Sequence, residues 1–265
     1  IDADENITTL GRGGSDTSAV ALAAALGVRD CEIYTDVDGV YTADPRVVGG
    51  ARKLNEISYD EMLELARLGA GVLHSRSVEF GKKYNVRIHV RSSFNRNEGT
   101  IVKPREEMME KFTMSGVTSK SDEVKFNIYG IPDCPGIAQK IFTVLGEEKI
   151  YVNMIVQSTG KDGKADISFT VLKKDIDRVK AISEKIKTEL KGDEVTFQDN
   201  IAIVSAVGVG MLSSAGVAGK LFRILSDHNI NIQMISTSEI GISCVIDEMY
   251  AELAVKSIHK EFMEK

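Results

Sequence analysis

The sequence predicts an α/β chain made of a layered part followed by two ferredoxin-like βαββαβ units. Three observations carry this reading. Strand-like and helix-like stretches alternate from residue 1 to about residue 104, the pattern of a layered fold with a mostly parallel sheet. From about residue 124 the chain repeats itself. Shifted by 80 residues, Gly136, Ala138, Lys140, Phe142, Leu145, Ile150, Met154, Ile155 and Ser158 fall on Gly216, Ala218, Lys220, Phe222, Leu225, Ile230, Met234, Ile235 and Ser238. These are nine identities in 23 positions, where composition alone gives roughly one or two, so a unit is duplicated. Within the first copy the hydrophobic period switches in the order strand, helix, strand, strand, helix, strand.

In the first part, Ile7–Leu10 reads as a short strand running into the loop Gly11-Arg12-Gly13-Gly14-Ser15-Asp16. The alanine-rich stretch Thr17–Leu26 reads as a helix stopped by Gly27. Cys31–Thr35 is a second strand, leading into Asp36-Val37-Asp38-Gly39. Tyr59–Leu68 and Ser75–Tyr84 are helices. Val86, Ile88 and Val90 alternate with Arg87, His89 and Arg91, the period of a half-buried strand whose arginines face solvent.

Residues 105–123 form a charged connector around the apolar stretch Phe112–Val117. The first repeat unit, 124–199, then reads as strand Phe126–Ile131, helix Ile137–Leu145, strands Tyr151–Gln157 and Ala165–Leu172, helix Ile176–Leu190 and strand Val195–Gln198. The second unit, 200–265, reads as Ala202–Val207, Val217–His228, Asn231–Ser236, Ile242–Ile246 and Ala251–Phe262. It ends before a sixth element and would leave an open sheet edge, a pairing hazard. Phe112–Val117 is the unassigned strand-like stretch that can fill that edge, so the first unit is expected to be inserted into the second.

Composition narrows the function. Hydrophobic residues make up 43% of the chain and charged residues 27%, which excludes wholesale disorder. The net charge of −6 argues against nucleic acid as a partner. The longest wholly apolar run, Ala19–Leu26, is eight residues, far short of the ~20 that span a bilayer. Cys31, Cys134 and Cys244 have neither metal-ligand spacing nor the even number of a disulfide framework, and read as small apolar residues in a reducing cytoplasm. The chain enters its first motif directly from Ile1, which looks like a cut in a longer sequence.

Several residues can carry chemistry. The loop Gly11–Asp16 puts backbone N–H groups at a helix N-terminus, a ready anion site. There Arg12 can fork onto a carboxylate or phosphate. Ser15 can donate a hydroxyl, and Asp16 can hold an ammonium or simply cap the helix. The segment Thr35-Asp36-Val37-Asp38-Gly39-Val40-Tyr41, followed by Asp44-Pro45-Arg46, starts at the carboxyl end of a strand, where α/β folds bind ligands. It can equally be a solvated acidic turn. His74, in the apolar stretch Val72-Leu73-His74, reads as a packed histidine. In the repeats, Ile131-Pro132-Asp133-Cys134-Pro135-Gly136 and its copy Met211-Leu212-Ser213-Ser214-Ala215-Gly216 lead into helix starts that suit a carboxylate. Asp133 can meet an ammonium or cap the helix. The amides of Asn153, Gln157 and Gln233 can both donate and accept hydrogen bonds. Ser236, Thr237, Ser238 and Glu239 end the matching strand, and the pockets are expected where the two units meet.

Thr8-Thr9-Leu10-Gly11-Arg12-Gly13-Gly14-Ser15-Asp16, with Tyr34-Thr35-Asp36-Val37-Asp38-Gly39-Val40-Tyr41-Thr42-Ala43-Asp44-Pro45-Arg46, resembles aspartate kinase. So do Glu61-Met62-Leu63-Glu64-Leu65-Ala66, Val72-Leu73-His74, Arg76-Ser77-Val78-Glu79 and Ser236-Thr237-Ser238-Glu239-Ile240. The paired units resemble that family's tandem ACT domains. The resemblance implies that residues 1–104 are the C-terminal half of an amino-acid-kinase α/β/α three-layer domain. It implies phosphoryl transfer from ATP, with Mg2+, to the side-chain carboxylate of L-aspartate, the entry to lysine, threonine and methionine. By the same resemblance Arg12 holds an aspartate carboxylate with Ser15 beside it, and Asp16 orients the catalytic site. Thr35 and Asp36 contact the nucleotide, Tyr41 stacks near it, and Arg46 reaches the phosphates. The effector site is expected at Asp133, Asn153, Gln157, Met211, Gln233, Ser236, Thr237, Ser238 and Glu239. Lysine is the first choice of effector and threonine the second, with pairing of the units giving at least a homodimer.

The family's N-terminal lysine-and-glycine phosphate motif is absent from this chain. Gly71 stands where many members have lysine, and Ser75 where many have proline. A second reading is a stand-alone amino-acid-sensing module that has kept part of a kinase domain without catalysis.

Overall fold

The computed structural model describes residues 3–108, 114–160, 163–211 and 215–264. Its first part contains α1 (Gly14–Ala25), β1 (Asp30–Thr35), β2 (Glu56–Ser58), α2 (Tyr59–Arg67), α3 (Ser75–Tyr84), β3 (Arg87–Ser92) and β4 (Thr100–Lys103). The strands form one mixed sheet in the order β1-β3-β4-β2. β1–β3 and β2–β4 are parallel, and β3–β4 is antiparallel. Val20, Ile33, Met62, Val78, Ile88 and Val90 lie in the core that the helices build on this sheet.

Residues 7–10 are not a strand. Ile7 and Leu10 are 91% and 60% exposed, and β1 ends the sheet with no strand beyond it among the described residues. A strand needs a neighbouring strand for its backbone groups, and none pairs with this stretch among the described residues. Further apolar side chains, Leu22, Leu26, Val28 and Tyr34, are exposed around α1 and β1.

The first repeat unit holds β6 (Glu123–Pro132), α4 (Ile137–Glu147), β7 (Val152–Thr159), β8 (Lys164–Leu172), α5 (Ile176–Leu190) and β9 (Glu194–Gln198). Its sheet order is β7-β8-β6-β9, antiparallel throughout. The second unit has β10 (Ile201–Val207), α6 (Val217–Asp227), β11 (Met234–Ser238), β12 (Gly241–Asp247) and α7 (Ala251–Met263). Its sheet order is β11-β12-β10-β5, where β5 is Gly116–Lys120. β5 pairs antiparallel with β10 and takes the place that β9 has in the first unit. The edge-filling strand therefore lies further along the chain than 112–117, and residues 112 and 113 are outside the described residues.

The duplication shows in backbone detail. Gly136 and Gly216 are both left-handed N-caps, with φ 94° and 89°. Lys149 and Asn229, again 80 residues apart, both have positive φ, 57° and 55°. In each unit a 3-10 turn feeds the second helix. The core of the second unit extends beyond the unit, because Ala43 and Val48 from the first part are buried in it.

Candidate functional site

A four-residue connection joins α1 to β1, and α3 turns into β3 through Asn85 and Val86. Both helices therefore run back along parallel strands. The N-termini of α1 and α3 come to lie at the carboxyl ends of β1 and β3, where α/β folds open toward ligands. At the helix end of this site, Gly13 has φ 71°, and a Cβ there would meet the His74 ring at 2.2 Å. Only glycine allows His74 to approach so closely. His74 is the N-cap of α3 and accepts from the Arg76 N–H through Nδ1, a structural role. Ser75 sits at the first helical position, where proline is also accommodated. Arg76 Nη2 donates to the carbonyls of Leu10 and Arg12, each at 2.8 Å, and pins the glycine loop from outside.

Arg12 and Ser15 are exposed on this loop, and Asp16 is half-buried in the first turn of α1. No side chain caps α1, so the capping role open to Asp16 is not used. Ser15 Oγ donates to Asp16 Oδ1 at 3.3 Å. Arg12 and the first N–H groups of α1 thus lie within one loop-to-helix turn.

At the strand end, Thr35 Oγ1 donates to Asp36 Oδ1 at 3.1 Å. Asp38 receives Asn95 Nδ2 at 2.6 Å and Asn97 Nδ2 at 3.0 Å, which hold its carboxyl below the usual aspartate range. These contacts tie the loop after β1 to the loop after β3. Tyr41 is half-buried and bridges Lys53 through the backbone. Arg46 is 89% exposed, yet its fork already grips Asp44, with Nη2–Oδ2 at 2.7 Å and Nε–Oδ1 at 3.0 Å. This contact lowers the Asp44 pKa and raises that of Arg46. Arg46 can reach a phosphate only by sharing or releasing Asp44.

Among the described residues no group of three or more His, Cys, Asp or Glu could cage a metal ion. A Mg2+ carried by nucleotide phosphates needs only one or two protein carboxylates, and Asp36, exposed beside Thr35, fits that smaller demand. No helix among the described residues is long and apolar enough to cross a membrane.

The expected effector residues spread over both repeat units. β7 lies beside β11 and β6 beside β10. Asn153 Nδ2 donates to Glu123 Oε1 at 2.8 Å, and Gln233 Oε1 faces Lys125 Nζ at 3.4 Å. Glu123 and Lys125, which sequence reasoning passed over, therefore stand between the two amides at the junction of the units. Burial pushes the Lys125 ammonium below the ordinary lysine value. Gln157, Thr237 and Glu239 are exposed, Ser236 is half-buried, and Ser238 Oγ reaches Glu64 Oε1 on α2 at 2.9 Å. Asp133 is exposed, and α4 has no side-chain cap, so Asp133 is not a capping residue. The Met211 side chain is buried and packs in the second unit's core. Residues 212–214 of its loop lie outside the described residues.

Glu61 was also unforeseen as a junction residue. It is 1% exposed, and Ser58, Ser115 and the Val209 N–H all donate to it. Its sequence signal was the Ser58-x-x-Glu61 capping box, which is formed. Nothing in that box announces the contacts to Ser115 and Val209.

This fold and site define the class, an amino acid kinase sheet joined to two ACT-type regulatory units. The family model for the amino acid kinase family matches residues 1–92, and that for the ACT domain matches residues 127–185 and 204–262. The aspartate kinase of Stutzerimonas stutzeri is 50% identical over 99% of the chain and 64% of its own length. The chain thus spans 64% of the length of that relative. A Clostridium acetobutylicum aspartate kinase structure superposes with a TM-score of 0.87 at 28% identity, covering 98% of this chain and 60% of that one. Escherichia coli aspartokinase III in complex with aspartate and ADP gives 0.80 at 26% identity, and its complex with lysine and aspartate 0.74 at 27%. Each covers 97% of this chain and 57% of theirs. The regulatory subunit of a Thermus thermophilus aspartate kinase is 37% identical over 57% of this chain and 99% of its own, with a TM-score of 0.54. The chain belongs to the aspartate kinase family.

Proposed function

We propose that the chain is the C-terminal part of an aspartate kinase, which transfers the γ-phosphoryl group of ATP to the side-chain carboxylate of L-aspartate. The products are 4-phospho-L-aspartate and ADP, the first step toward lysine, threonine and methionine. The observation that carries this reading is the convergence of the Arg12 loop, the α1 N-terminus and the Thr35–Asp38 turn at the carboxyl ends of β1 and β3. Phosphoryl transfer asks the protein for positioning and charge neutralisation rather than covalent chemistry. Arg12 holds an aspartate carboxylate, Ser15 donates beside it, and Asp16 orients the loop. Thr35 and Asp36 contact the nucleotide, and Tyr41 offers a ring near it. Arg46, freed from Asp44, neutralises phosphate charge. Mg2+, held by the phosphates with Asp36, supplies further neutralisation when bound.

The exposed Ile7, Leu10, Leu22 and Leu26 and the free edge of β1 support a further kinase segment packing there. In this reading the chain alone is inactive, and the kinase loops it retains speak against a purely regulatory module. The bound aspartate, ADP and lysine named for the Escherichia coli enzyme support the same substrates here, with lysine as effector before threonine. The effector site lies at the junction of the repeat units, and the units pair between chains into at least a dimer.

The test is Arg12→Ala in the longer polypeptide. Losing a charged bidentate contact costs about 2–5 kcal/mol, read as a raised KM for aspartate and reduced kcat. Near-normal kinetics would remove Arg12 from the site.

A further inference from the structure

The loop that carries Tyr41 and Arg46 is built into the second ACT-type unit rather than resting on it. Thr42 is its joint. The Thr42 N–H donates to the Arg52 carbonyl at 2.9 Å, and the Thr42 carbonyl accepts from Val117 of β5 at 2.8 Å. The Thr42 hydroxyl accepts from the Arg52 N–H at 2.9 Å and meets His259 Nε2 of α7 at 2.8 Å. His259 is fully buried, and its Nδ1 lies 3.1 Å from Glu264 Oε1. A consistent proton assignment follows. Nδ1–H donates to the Glu264 carboxylate, and Nε2 accepts the Thr42 hydroxyl proton. Two further contacts close the clasp. Arg52 Nη2 donates to the Met263 carbonyl at 2.9 Å, and Ala43 and Val48 sit in the core that α7 completes.

We propose that His259 is a positioning residue for the 41–46 loop, so that the last helix of the chain sets nucleotide affinity without touching nucleotide. The proposal rests on the reading above that this loop serves ATP. A loop whose hydroxyl joint and two apolar residues are anchored in α7's core cannot shift unless that helix shifts. Positional errors of about 1 Å at a nucleotide contact are enough to weaken it markedly. Removing the imidazole leaves the Thr42 hydroxyl buried with no acceptor, and the loop relaxes to find one.

The experiment uses the longer polypeptide with steady-state kinetics for both substrates. His259→Leu is expected to raise KM for ATP about tenfold, the scale of one lost buried hydrogen bond. KM for aspartate should stay within about twofold in the same variant. Thr42→Val, which removes only the hydroxyl, should do the same, and the two changes together should be no worse than either alone. His259→Gln, whose amide can still meet Thr42, should restore most of the affinity. Loss of both KM values together, or no rescue by glutamine, overturns positioning in favour of a general folding role. Thr42→Val guards against a misfolded leucine variant, because it changes shape least. Asp36→Asn tests the parent reading separately. If it leaves KM for ATP unchanged, the nucleotide assignment falls and this proposal with it. If Asp36→Asn raises KM for ATP while His259→Leu and Thr42→Val do not, only the positioning role fails.

Discussion

Removing the Glu61 carboxylate should loosen the join between α2 and the second repeat unit. The group is buried at 1% exposure. Ser58 Oγ and the Ser58 N–H donate to Oε2, and Ser115 Oγ and the Val209 N–H donate to Oε1. Four donors around two oxygens are the complement of an ionised carboxylate. In Glu61→Ala all four lose their acceptor, and the capping box of α2 is half lost. A buried hydrogen bond to a charged group is worth about 1.5–3 kcal/mol, and a cap about 1 kcal/mol. Relaxation and water entry return part of this, so the expected loss is about 3–5 kcal/mol. Glu61→Gln keeps the shape but turns an N–H2 toward donors, for an expected loss of about 2–3 kcal/mol. The assay is urea unfolding of the chain, with amide exchange followed at Val209 and Ser115. Exchange at those amides should rise before that of the first repeat unit's sheet, because the lost hydrogen bonds join α2 to Ser115 and Val209 and none of them is made by the first repeat unit. A Ser115→Ala, Glu61→Ala cycle should show coupling of about 1 kcal/mol or more. An unchanged urea midpoint with unchanged Val209 protection would refute the role assigned to Glu61.

Other expectations follow from the same geometry. Lys125 is buried, and among the described residues its ammonium makes two long contacts, to Gln198 and Gln233. Its pKa is lowered by burial, so the penalty is full below that lowered value and is relieved as pH rises toward the ordinary value of 10.5. Lys125→Met should therefore stabilise the chain by about 1 kcal/mol at neutral pH, with the gap closing at alkaline pH; a destabilised variant at pH 7 in thermal melts contradicts this. Pairing of repeat units between chains predicts a concentration-dependent mass of at least a dimer in sedimentation of the longer polypeptide, and a monomer at every concentration sinks it. Asp133→Ala and Glu239→Ala should each weaken inhibition by lysine, and wild-type inhibition curves for lysine, threonine and their mixture would move the effector site elsewhere.

The junction residues suggest how a ligand on the repeats can be felt at the kinase loops. Ser238 touches Glu64, Val209 touches Glu61, and His259 touches Thr42. A ligand can bias the kinase part only through a difference in its affinity for two arrangements of these contacts. The three contacts reach α2 and the 41–46 loop directly, so a rotation of the second unit has short paths to both.

Much of this molecule is legible in its sequence because the signals are local. The amphipathic period of Ile176–Leu190 places α5 to the residue, Gly27 stops α1, and the 80-residue repeat by itself exposes two like units. The Gly11–Asp16 and Thr35–Arg46 motifs are equally visible as residue types in fixed spacing. What tertiary structure decided are the features whose partners are distant in the chain. β2 and β4 are strands of three and four residues that exist through their mutual pairing. Ile7–Leu10 lacks a strand because no neighbouring strand pairs with it among the described residues. Met211 looks like a loop residue yet packs in a core. His259 and Thr42 are 217 positions apart, and Glu61 and Val209 are 148 apart. Periodicity and capping report interactions between neighbours within a turn or a pleat. Closing long loops to bring such pairs together depends on the packing of whole units, which no local pattern encodes.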